Sequence, residues 1–166
     1  VPHFEKMLYD NGQLVSLYAH AYQATSKERY AEVVRQTIAF TESSLSDKNG
    51  AFYASLDADT EGEEGLTYIW TQEEIGKVLA NEALTDAFSD YYSVTKSGNW
   101  EGHNILYRRK NAVTLAEKHG YKNKTALKEA IDAAAIKLLA VLDLRPPPGL
   151  DDKAPTPCNT RITPVP

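Results

Sequence analysis

Leu127, Ile131, Ala134/Ala135, Leu138 and Leu142 recur at intervals of three and four residues. That spacing lays them along one face of a helix over about 125–143. Arg145-Pro146-Pro147-Pro148-Gly149 follows directly. Proline donates no backbone hydrogen bond and its ring collides with the preceding turn, so this run ends the helix. An apolar stripe of that length must be buried against other helices, and its small alanines permit close approach.

The rest of the chain supplies such helices. Residues 4–24 carry Met7, Asn11, Leu14/Val15, Tyr18 and Tyr22 on one stripe. Thr25 and Glu28 read as a capping box opening a second helix with Tyr30, Val34, Ile38, Thr41 and Leu45, which stops before Asn49-Gly50. The two read as an antiparallel pair. Thr71 and Glu74 form another capping box, for a short helix with Ile75, Val78 and Leu79. Further helices are expected over about 84–95, and from about 108 to Gly120, which stands where a left-handed C-terminal residue belongs. Lys96–Asn104 reads as a loop.

Only one stretch breaks the helical period. Ala51–Leu56 and Leu66–Trp70 are short and rich in aromatic and β-favouring residues, so they read as the arms of a hairpin. The turn between them holds five carboxylates, Asp57, Asp59, Glu61, Glu63 and Glu64, with Gly62 and Gly65. The expected fold is therefore mainly α, with antiparallel helix hairpins and a short β-hairpin insertion at about 51–70. Residues 1–149 would form the helical domain, and 150–166, with four prolines, an extended or disordered tail. No short repeat supports a solenoid.

At 166 residues, 42% hydrophobic and 25% charged, the chain can bury one core and is not disordered as a whole. A net charge of -5 with scattered lysine and arginine argues against nucleic acid as a partner. The single cysteine, Cys158, excludes an internal disulfide or a thiolate metal cluster and suits a cytoplasmic protein. No apolar run reaches the length of a membrane span, so no membrane partner is expected. No metal and no cofactor are expected either. The opening Val1-Pro2-His3 reads as the start of a fragment.

Three places concentrate polar chemistry. In the acidic turn, Asp57-x-Asp59-x-Glu61-Gly62 imitates the start of a calcium loop, but the twelfth position is Tyr68 where a bidentate glutamate is required. A looser divalent-cation site or a carboxylate pair for general acid–base work remains one reading, and a solvated acidic turn is the other. At the first helix start, His3 and Glu5 read as ordinary first-turn residues. Asn11 sits on the apolar stripe and needs hydrogen-bond partners, whether it ties helices together or lines a site. In the third place, Trp100, Glu101, His103 and Asn104 set an aromatic platform beside a carboxylate and an imidazole, a lining suited to polar small molecules. There is no glycine-rich phosphate loop, nucleophile elbow or zinc-spaced histidine pair.

VPHFEKMLYDN (1–11), SLDADTEGEEGLTYIWTQEEI (55–75), GNWEGHNIL (98–106) and RPPPGLDDK (145–153) together resemble, in order, the YyaL / spermatogenesis-associated protein 20 family. The resemblance covers about residues 1–153. It implies a thioredoxin-like domain followed by an (α/α)6 toroid of the six-hairpin glycosidase type, of which this chain resembles part of the toroid only. After Lys153 the sequence departs from the family pattern, keeping Thr156 and Asn159 but losing its apolar character. The resemblance further implies a carbohydrate-processing or carbohydrate-binding role with a central cavity. Asp57, Asp59, His3 and Glu101 would then be the candidate catalytic residues. Tyr9, Asp10, Asn11, Glu61, Trp70, Trp100, His103 and Asn104 would contact a sugar or other polar small molecule. The competing expectation is a non-catalytic helical scaffold. Expected partners also include the thioredoxin-like domain of the parent chain and, through exposed helix faces, further copies of the chain.

Overall fold

The computed structural model describes residues 3–156. The chain is mainly α, and it divides into two compact units. One comprises His3–Glu64 together with the chain from Pro148 onward, and the other is Gly65–Pro147.

The first unit holds a helix pair and two small sheets. Strand β1 (Lys6–Met7) runs straight into helix α1 (Leu8–Thr25), and helix α2 (Glu28–Ser44) packs back against it. Strand β2 (Ser55–Leu56) lies at the centre of a three-stranded antiparallel sheet, between β1 and strand β5 (Leu150–Asp151). Strands β3 (Asp59–Thr60) and β4 (Glu63–Glu64) pair with each other. Phe4, Leu8, Ala31, Thr41 and Leu45 are buried here. Along α1 only Leu8 and Gly12 are buried, whereas Leu14, Leu17 and Tyr22 are exposed.

Two expectations for this unit are corrected. Thr25 does not cap α2. It closes α1, its hydroxyl donating to the Ala21 carbonyl at 2.7 Å, and Ser26 turns the chain with a left-handed φ of 53°. The helix runs through the position that a capping box would need, and α2 starts after Lys27 without a side-chain cap. The hairpin lies within 51–70 but is built from the acidic residues themselves. Glu61 and Gly62 have φ of 55° and 84°, the two successive positive values of a type I′ turn, so the turn closes on two residues per arm. The expected arms pair elsewhere: Ser55 and Leu56 with β1 and β5, and Trp70 with Asn104. Leu150 and Asp151, expected in the tail, are the third strand of the larger sheet. Cys158 and Asn159 lie outside the described residues.

The second unit is helical. Helix α3 (Gln72–Leu79) opens with the expected capping box, Glu74 N donating to Thr71 Oγ1 at 3.1 Å and Thr71 N to Glu74 Oε2 at 2.7 Å. Helix α4 (Glu82–Tyr91) starts two residues before the expected position because Asn81 caps it, accepting from Leu84 N. Helix α5 (Ala112–Lys118) starts later than expected for the same kind of reason, since Asn111 accepts from Val113 N. Arg108-Arg109-Lys110 is therefore non-helical, and Gly120 adopts its left-handed φ of 71°. Helix α6 (Lys124–Leu142) packs against α3, α4 and α5. Its Leu127, Ile131, Ala134 and Leu138 are buried with Trp70, Ile75 and Phe88 in one core. Each large apolar side chain removed from water there contributes roughly 2 kcal/mol. No helix of the described residues is long and apolar enough to cross a membrane.

Candidate functional site

In the first unit, strand register brings together residues that lie far apart in the chain. Side chains alternate across a strand, so Ser55 and Asp57 leave β2 on the same side. Ser55 is directly opposite Asp151 on β5 and Met7 on β1. The β2–β5 pairing continues one step further, with Asp57 N donating to the Gly149 carbonyl at 2.7 Å. Glu5 precedes β1 beside the end of β2. Glu5, Ser55, Asp57, Gly149, Leu150 and Asp151 line a cleft of about 340 Å³.

The polar groups of this cleft differ in how far they are engaged. Asp57 Oδ1 accepts from Ala58 N at 2.7 Å and Asp59 N at 3.4 Å, which sets the turn after β2. Its Oδ2 points toward Gly149, where a Cβ would stand 3.7 Å away. Asp151 is held by Lys153, whose Nζ lies 3.0 Å from Oδ2 and whose backbone amide donates to Oδ1. These bonds, the side-chain one foremost, keep the Asp151 carboxyl below its usual range. On the other side of β1, Lys6 donates to the His3 and Phe4 carbonyls, and burial lowers its amine to about 8. Among the described residues, no group of three or more His, Cys, Asp or Glu side chains is disposed to hold a metal ion.

Of the residues picked out in the sequence, only Asp57 lines the cleft. Asp59, Glu61, Glu63 and Glu64 are exposed on the small hairpin, where Asp59 stands directly across from Glu64. His3 is exposed and its Nδ1 accepts from Glu5 N at 3.2 Å. Tyr9 and Asp10 are exposed on α1. Asn11 is half-buried and donates to the Met7 carbonyl at 2.8 Å, one turn back along the chain, so its amide serves the helix start. Glu5, read from the sequence as an ordinary first-turn residue, instead precedes β1, and Ser55 and Asp151 carry no strong local signal of a site. Only the i, i+2 spacing of Ser55 and Asp57 on a strand hinted at a shared face.

The second unit treats its polar residues differently. Asn104 is 1% exposed, and every polar atom of its side chain is used. Its Oδ1 accepts from Thr95 N at 2.9 Å, while Nδ2 donates to the carbonyls of Trp70 and Thr95 at 3.2 and 3.1 Å. Trp70 is 2% exposed, with the Arg145 guanidinium 3.9 Å from its ring centroid. Arg145 also donates to the carbonyls of Thr67 and Ile69 at 3.0 and 2.7 Å. The face of Trp70 thus stacks on a cation of its own chain, which leaves it no surface for a sugar ring.

Trp100, Glu101 and His103 do reach the surface. Trp100 and His103 exchange backbone hydrogen bonds of 2.9 and 2.7 Å across Glu101-Gly102, whose φ values of 45° and 82° repeat the Glu-Gly turn of the acidic hairpin. Gly98 underlies this turn, because a Cβ there would lie 2.4 Å from the Gly102 backbone. The outcome is a fixed knuckle with a half-buried Trp100 and with Glu101 and His103 exposed.

Sequence comparison places the chain among longer proteins. Over 92% of its length it is 33% identical to spermatogenesis-associated protein 20 of Homo sapiens and 31% identical to that of Mus musculus. It is also 31% identical to an uncharacterized protein of Caenorhabditis elegans over 94% of its length. The chain spans 22% of the length of the two mammalian relatives and 24% of the nematode one. No family model matches it.

Proposed function

The chain belongs with the spermatogenesis-associated protein 20 family, matching one segment of it, and from that premise we propose that it contributes a carbohydrate-binding surface to a larger helical domain. The observation that carries this reading is the cleft itself. Glu5, Asp57 and Asp151 converge from three separate stretches of chain onto one concavity with the hydroxyl of Ser55. Carboxylates on a sheet face are strong acceptors for the hydroxyls of a polyol, and acceptors of this kind fix ligand orientation in small-molecule clefts. Within the toroid that the family resemblance implies, Asp57 is the candidate acid–base group.

A second reading, a non-catalytic scaffold, draws support from the Gly65–Pro147 unit, whose most conspicuous polar residues are consumed by their own fold. A sugar and sugar-phosphate binding screen on the full-length protein separates the two. Asp57→Asn retains the Oδ1 acceptor that shapes the turn and removes only the charge. Carbohydrate binding weakened about tenfold or more by this change supports the cleft. Absence of binding, or binding indifferent to the change, supports the scaffold.

A further inference from the structure

The dipeptide Asn-Gly occurs twice in the chain, at Asn11-Gly12 and Asn49-Gly50, and the fold treats the two differently. An asparagine followed by glycine is open to attack on its own side-chain amide carbon, because the next residue has no Cβ to obstruct its backbone nitrogen. Ring closure requires that nitrogen to leave its hydrogen bond and turn onto the side chain. Gly12 is buried inside α1, where the helical ladder bonds its amide to the carbonyl four residues back. Asn11 is itself tied to the Met7 carbonyl at 2.8 Å. Reaction there would require the opening turn of α1 to unwind.

Asn49 and Gly50 lie exposed in the tight turn between α2 and β2. Gly50 has a φ of 86°, and a Cβ there would meet nothing within 4 Å. Its amide donates to the Asp47 carbonyl at 3.2 Å, the long end of the usual range. The Asp47 carboxylate organises this turn, accepting from Ala51 N and Asn49 N, both at 2.8 Å, and from Asn49 Nδ2 at 3.2 Å. These bonds, the one from Ala51 foremost, keep the Asp47 carboxyl below its usual range.

We infer that Asn49 is a site of spontaneous deamidation and that Asn11, in the same dipeptide, is protected by α1. The Gly50 nitrogen bonds to the Asn49 side-chain carbon, the bond from that carbon to Nδ2 breaks, and the Gly50 amide proton leaves with Nδ2 as ammonia. Water then opens the cyclic imide at either carbonyl, leaving aspartate or isoaspartate. The product reverses a contact that holds the turn. Where Nδ2 donated to Asp47, a second carboxylate now faces it, and isoaspartate also lengthens the backbone between Asp47 and Ala51. The connection from α2 to β2 is therefore weakened as the protein ages.

Peptide mapping by mass spectrometry, after prolonged incubation at neutral pH, tests this on the folded protein and on protein held in denaturant. In denaturant both dipeptides should gain about 1 Da at similar rates. In the folded protein, conversion at Asn49 is expected to be roughly tenfold or more faster than at Asn11. Asn49→Gln, whose longer side chain closes a larger ring, is expected to abolish the gain at that position. Asn49→Asp, which imitates one product, is expected to lower the thermal midpoint by about 2 °C at low salt and by less as salt rises. Equal conversion at both positions in the folded protein, or none at Asn49, overturns the inference. An unchanged midpoint in Asn49→Asp overturns the weakening of the turn.

Discussion

Asn104 and Asp57 are both conspicuous polar residues in loops rich in glycine, yet the two units use them in opposite ways. Asn104 is enclosed, and its amide answers backbone groups of Trp70 and Thr95. Asp57 spends one oxygen on its own turn and leaves the other facing a cleft shared with Glu5, Ser55 and Asp151. The difference lies in what surrounds them. Around Asn104 backbone pairing is confined to single bridges, Trp70 with Asn104 and Trp100 with His103, so a side chain must satisfy what those bridges leave over. Around Asp57 the strand ladder already satisfies the backbone, which frees side chains on one face of the sheet to meet solvent or a ligand. Polar residues therefore indicate a site where the backbone is self-sufficient and a structural knot where it is not.

The largest effect should come from breaking the knot. Asn104→Ala empties a buried position, leaves the Thr95 amide without its acceptor and takes one of two donors from each of the Trp70 and Thr95 carbonyls, for a loss of roughly 3 kcal/mol by chemical denaturation. Asp57→Asn should change stability by less than about 0.5 kcal/mol in the same assay. A comparable loss for both would erase the distinction between the two regions.

A smaller effect is expected at Asp90, where the Gly65–Pro147 unit again satisfies polar groups internally. The carboxylate accepts from Lys110, Lys118 and His119. Burial works to raise its pKa, but those three donors outweigh it and hold the group well below the usual carboxylate range. A folded-state pKa below the unfolded value stabilises the fold above the unfolded pKa, and that contribution is lost as pH falls through the folded one. Asp90→Asn should therefore lower stability by about 1–2 kcal/mol at neutral pH, with wild type and variant converging in strong acid. A pH-independent difference would mean that the contact acts through shape alone.

The smallest effect sharpens the other side of the comparison. Asp59 and Glu64 oppose each other on the exposed hairpin, and like charges at directly paired positions are unfavourable. Glu64→Gln should raise stability by about 0.3 kcal/mol at low salt and by less as salt screens the pair. A loss of stability would show that the acidic hairpin is more than a solvated turn.

Much of the helical framework was legible because its determinants are local. The stripe of α6, its proline stop, the Thr71–Glu74 box and the glycine after α5 all act within a few residues. Local signals also misled where two of them competed. Thr25 has the spacing of a cap, but the backbone continued α1 through it, and helix continuation gains a hydrogen bond that the cap only substitutes for. The acidic turn was visible as a turn. Its arms were misassigned because aromatic, β-favouring composition does not specify a partner, and Trp70 found Asn104 rather than Phe52 or Ser55.

From residue spacing and backbone chemistry alone, the sequence determined a mainly helical chain, the ends of its best helices, and a tight acidic turn in its middle. Those follow from hydrogen bonds and side-chain contacts within about one helical turn. Only the tertiary structure decided which carboxylates meet. Glu5, Asp57 and Asp151 are brought together by strand pairing between distant stretches, and a slip of one residue would send each side chain to the opposite face. Such pairing depends on which chain segments are free to complete a sheet, and no local pattern encodes that.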